Sequence, residues 1–149
     1  MKAALAVVLA LATHASVGEA ADAVYVSLQA TSRNAGQIGR AFLLPEGSGT
    51  RVQVEVSGVA PTLATRPVHL YTYLYKGRCD QRSAEPAFAL LDRVLAQSPA
   101  GTPSARGPYT VSNTVRLPFE RATAGPFAIV VRTSPADGGV DLFCGNVER

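Results

Sequence analysis

From Val68 to Tyr75 the chain alternates residue by residue, with Val68, Leu70, Thr72 and Leu74 on one face and His69, Tyr71, Tyr73 and Tyr75 on the other. β-branched and aromatic types dominate this stretch, and no Gly or Pro interrupts it before Gly77, so a pleated strand is predicted rather than a helix. Because both faces are largely apolar, the strand is expected to be central in a sandwich or covered on its outer face by a loop. The same alternation runs through Val24 to Ala30 and Ile38 to Leu44, and is cleanest in Arg51 to Val59. There Val52, Val54 and Val56 point one way, while Arg51, Gln53, Glu55 and Ser57 point to water.

Breakers fall between these runs. Asn34 and Gly36 mark one turn, Pro45 to Gly49 another, and Ala60-Pro61 ends the valine strand. From Asp80 to Pro108 the pattern loosens. Phe88, Leu90, Leu91, Val94 and Leu95 fit a short helical turn or a short strand, and an extended loop with one short element is the expectation. Ser98 to Gly107, rich in Pro, Gly, Ser and Ala, reads as a surface connection. Strand pattern returns at Tyr109 to Val111, Thr114 to Phe119, Pro126 to Thr133 and Val140 to Val147. The turn Pro135 to Gly139 joins the last two, its Asp-Gly pair supplying the φ > 0 positions of a hairpin. Roughly seven or eight short strands without a long helix predict an all-β antiparallel sandwich or barrel.

The N-terminus follows a different rule. Met1-Lys2 is followed by an apolar run, Ala3 to Ala12, too short to span a bilayer, and then by small residues at Gly18 and Ala20. Residues 1–20 are therefore read as a cleaved signal peptide, in preference to a membrane anchor or a buried helix, and 21–149 as the domain. Export to a periplasmic or extracellular space, with no membrane span left after cleavage, is the expected location. In an oxidising compartment the two cysteines, Cys79 and Cys144, are the available intrachain pair, so a disulfide is expected; no CxxC spacing favours a redox or metal role.

Length and charge narrow the classes. The chain has 149 residues, enough to bury ~70% of its unfolded surface as one domain. Its formal net charge is +3, and its arginines are spread from Arg33 to Arg149, which argues against nucleic acid as a partner. Of its two histidines, His14 belongs to the signal, leaving His69. One imidazole and a disulfide cannot assemble a copper or zinc site within one chain, so neither a metal nor another cofactor is expected, and His69 is read as a hydrogen-bonded structural residue. Asp80, Glu85 and Asp92 near Ser83 form no triad, Gly47-Ser48-Gly49 lies between strands rather than at a phosphate-binding strand-to-helix turn, and Asp137-Gly138-Gly139 lacks the acid count of a calcium loop.

Four segments, Gly36-Gln37-Ile38-Gly39, VQVEVSGVAP, VHLYTYLYKGRC and VVRTSPADGGVDLFCGNV, resemble the copper/zinc superoxide dismutase family over most of the chain beyond the signal. The resemblance implies a Greek-key β-sandwich closed by the Cys79–Cys144 pair. It also implies loss of the metal sites. Set without a gap, Thr72 and Leu74 stand at the first two copper-histidine positions and His69 at a structural histidine; shifted by one residue, Tyr73 and Tyr75 stand there. Arg132 takes the place of the late copper histidine, and Asp141 that of the substrate-guiding arginine.

What remains is surface. The row His69, Tyr71, Tyr73 and Tyr75 is a candidate binding surface for a sugar, a peptide or a protein partner. The alternative, burial of the row in the sandwich or under Phe88, Leu90 and Leu91, is favoured because an open apolar patch is a solubility liability. The expected role is a non-catalytic binding or interaction module whose partner, a protein or small ligand, is unidentified. The alternatives are a divergent metal-handling enzyme with a site completed across a dimer by two copies of His69, and a structural protein of the cell envelope.

Overall fold

Alternating sequences form ladders because each strand satisfies its backbone groups only against a neighbour. In a computed structural model, which describes residues 23–65, 68–95 and 107–148, the alternating runs pair into one curled antiparallel sheet. The expected signal peptide and nearly all of the Ser98–Gly107 connection lie outside the described residues. The strands are β1 (Val24–Ala30), β2 (Gly39–Glu46), β3 (Gly49–Val56), β4 (His69–Arg78), β5 (Gln81–Arg82), β6 (Phe88–Leu95), β7 (Tyr109–Val115), β8 (Phe127–Thr133) and β9 (Asp141–Val147).

Their spatial order is β5-β4-β8-β9-β1-β2-β3-β7, with β6 also paired to β4. The sheet curls until β6 and β7 approach one another, giving a half-barrel. Inside it sit Val24, Val26 and Leu28 of β1, Ala41 and Leu43 of β2, Val52, Val54 and Val56 of β3, Leu70 and Leu74 of β4, and Ile129 and Val131 of β8. The alternation therefore faces the core as expected.

Five stretches differ from the sequence reading. The cluster Pro45 to Gly49 is mostly strand, and the β2–β3 turn narrows to Gly47-Ser48, with Gly47 at φ 58°. Phe88–Leu95 is a strand of eight residues on β4, not part of a loop. Its register shifts opposite Tyr71, between Leu70 and Thr72, and such an irregularity breaks the period by which a strand is recognised. Tyr109–Val115 is continuous, and Phe119–Ala124, read as strand at its start, is a short helix, α1. Pro118 immediately precedes α1, and Phe119 and Ala122 are buried in the core cluster beside β2 and β3. In the β8–β9 turn the left-handed positions fall on Gly138 and Gly139 rather than on an Asp-Gly pair; Asp137 ends a 3₁₀ turn capped by Ser134.

One polar residue holds the loop after β1. Asn34 is fully buried, and its Oδ1 accepts the Ala60 N–H at 2.8 Å. This bond fixes the Ser32–Ile38 loop against the segment that leaves β3.

Candidate functional site

The outward face of β4 carries the aromatic row. Val68, Leu70, Thr72 and Leu74 are buried inside; His69, Tyr71 and Tyr73 are half-buried outside, and Tyr75 is 3% exposed. Phe88 and Leu90 are not what covers Tyr75: Leu90 joins the core, and Phe88 packs against it. The Tyr75 cover comes from two arginines.

Arg132 lies beside Tyr71 in the β4–β8 register and across from Asp141 on β9. Arg82 arrives from β5, which folds back on the end of β4 through the Cys79-Asp80 turn and lies close against Gly77, whose φ is 95° and where a Cβ would strike the Gln81 carbonyl. The Cys79–Cys144 disulfide and the bond from the Cys79 N–H to Asn146 Oδ1, 2.8 Å, hold this return segment over β9. The Arg82 guanidinium then sits 4.8 Å from the Tyr75 ring centre, and that of Arg132 sits 5.9 Å from the Tyr73 ring. Arg132 also donates to the Tyr75 hydroxyl at 3.4 Å.

Asp141 joins the two arginines. It pairs with Arg82, and its Oδ1 lies 2.8 Å from Arg132 Nε. Both atoms of the latter contact are shielded from solvent, and neither meets hydrogen-bond geometry, so this contact is an ion pair without a directed hydrogen bond. Removing the carboxylate leaves two neighbouring guanidinium groups without their shared counter-charge. Asp141→Asn is expected to cost about 1–2 kcal/mol, a partly exposed network being worth more than an isolated surface pair. Urea unfolding at low and high salt checks this. A loss below a few tenths of a kcal/mol at low salt would show that the network is not coupled.

His69 stands apart from this cluster at the start of β4. It neighbours Asp137, whose carboxyl is held below the usual range mainly by the Ser134 hydroxyl, then by Thr65, and least by the charge of His69. Among the described residues, no three His, Cys, Asp or Glu side chains group closely enough to hold a metal ion. No helix among them is long and apolar enough to cross a membrane.

Arg82 was not legible as a site residue, because its place over Tyr75 depends on the Cys79-Asp80 fold-back against Gly77 and on the disulfide. A second concavity, on the outer face of β1 to β3, is lined by Tyr25, Ser27, Gln29, Gln37, Ile38 and Ser57. The alternation of β1 already put Tyr25, Ser27 and Gln29 on one face, but the part played by Gln37 and Ile38 depends on the loop anchored by Asn34. No family model, curated protein or solved structure matches this chain.

Proposed function

We propose that the chain is an exported, non-catalytic interaction module on a Greek-key sandwich of superoxide dismutase-like type, with its metal sites lost. The observation that carries this reading is the arginine-capped face of β4. Thr72 and Leu74 point into the core, which favours Tyr73 and Tyr75 as the outward counterparts of the first two copper histidines in the resemblance. Arg132 and Arg82 lie over those two tyrosines. Two guanidinium groups against one carboxylate make a poor place for a divalent cation.

The architecture supports the reading at a coarser level. Sequence-distant strands are neighbours at β3–β7, β4–β8 and β9–β1, as long return connections in a Greek key require. The disulfide is compatible with an oxidising compartment. A sandwich of this kind serves many roles, so the role is argued from the site and not from the architecture.

The test is elemental mass spectrometry of the purified protein, with a superoxide dismutation assay after copper and zinc loading. Sub-stoichiometric metal and no turnover are expected. Near one ion per chain, one ion per pair of chains, or measurable turnover would overturn the reading in favour of a site built around His69.

A further inference from the structure

We propose that the groove on the outer face of β1 to β3 binds a neutral saccharide. The groove has a volume of about 500 Å³, within the span of small-ligand sites. The two large apolar side chains most exposed on the described surface, Tyr25 at 57% and Ile38 at 75%, both line it.

The chemistry of the wall selects the ligand. Its polar side chains Ser27, Gln29, Gln37 and Ser57 are uncharged, and its one cation and one anion, Arg40 and Glu55, pair with each other at 2.6 Å. A charged ligand therefore finds no unpaired counter-charge there, and a purely apolar ligand would strand the amide groups of Gln29 and Gln37. A sugar ring matches both parts of the wall. Its C–H face packs on an aromatic ring while its hydroxyls exchange bonds with amides and hydroxyls.

The groups are also held in place before binding. Tyr25 meets Phe42 edge-on, with ring centres 5.6 Å apart. The Ser57 hydroxyl accepts the Ile38 N–H at 2.9 Å and donates to Gln37 Oε1 at 2.8 Å, which leaves the Gln37 amide N–H₂ without a partner among the described residues. Gln29 Nε2 donates to Ser27 Oγ at 3.0 Å, leaving Gln29 Oε1 without a partner on the same terms. One donor and one acceptor on fixed side chains reduce the ordering cost of a weak ligand.

This inference rests on the reading of the chain as a binding module, and its test is separate from the metal assay. Cellotriose, maltotriose and chitotriose are titrated into ¹⁵N-labelled protein, and amide shifts are followed. Saturable shifts centred on β1 and the Gln37–Gly39 segment are expected for at least one sugar, with a Kd on the order of 1 mM. Tyr25→Ala should weaken binding about tenfold, Tyr25→Phe should retain it because the ring face is kept, and Gln37→Ala should weaken it about threefold. Tyr25 is mostly exposed, and its edge contact with Phe42 and the Gln37–Ser57 bond are each a small share of the fold's stability, so the variants are expected to fold with only a small drop in melting temperature, and a melting curve checks this. The proposal is overturned by three results: no saturable shift from any of the sugars, shifts indifferent to Tyr25→Ala, or a dimer in sedimentation that Ile38→Glu dissociates. The last would assign the face to a second copy of the chain. Each of these leaves the non-catalytic reading standing, which only the metal and turnover measurements address.

Discussion

Replacing Cys79 and Cys144 together by serine is expected to lower the stability of the fold by ~4 kcal/mol. The two residues are 65 positions apart, and cutting the link returns that loop's conformational freedom to the unfolded chain. For a domain whose whole stability is of the order of 5–15 kcal/mol, this is a large share. The effect also has a local side. The disulfide holds the β5 return over β9, so its loss frees Arg82 from Tyr75 and from Asp141. Urea unfolding of the double variant, and of the parent protein under dithiothreitol, should give matching midpoints well below that of the oxidised protein. A change under about 1 kcal/mol would mean that the unfolded chain is already compact around this loop.

Phe143→Ala is the second large effect, expected at about 3–5 kcal/mol. Phe143 is fully buried on β9 opposite Val131, and its ring uses the room left by Gly39 on β2. A Cβ at position 39 would come within 3.1 Å of that ring, 3.0 Å of Leu28 and 3.2 Å of Val56. The aromatic ring and the glycine are thus two halves of one packing arrangement between β9 and the β1–β3 wall. Truncating the ring leaves a cavity that strands pinned by their ladders cannot close. Phe143→Leu should lose less, since it keeps most of the volume. Urea unfolding with an unchanged slope checks both; a changed slope would indicate an altered unfolded or native state rather than a cavity.

The two effects have different origins. The disulfide acts mainly through the unfolded chain, while Phe143 acts through the packed interior, and the residues lie next to each other on β9. Combining the replacements is informative because neighbouring sites need not add.

Local alternation was enough to identify most of the strands. A polar or aromatic residue at every second position leaves the intervening residues of β1, β3 and β4 with one apolar face to bury, so the core positions Val52, Val54, Leu70 and Leu74 were readable directly. The cysteine pairing was readable too, because the chain has only two cysteines. Alternation failed where the pairing itself is irregular. The register shift between β4 and β6 hid β6, and α1, six residues long, is too short to establish a helical period.

The candidate site divides in the same way. That Tyr71, Tyr73 and Tyr75 share a face follows from the period of a strand, which any reader of the sequence can count. That Tyr75 is buried beneath Arg82 and Arg132, while Tyr25 and Ile38 stay open, depends on which strands become neighbours. Arg82, Arg132 and Asp141 are up to 59 residues apart in the chain, and only the sheet order and the fold-back after β4 bring them together. Sequence by itself determined which face each residue takes, because pleating is local; tertiary structure alone decided what covers each face, because covering is a long-range contact.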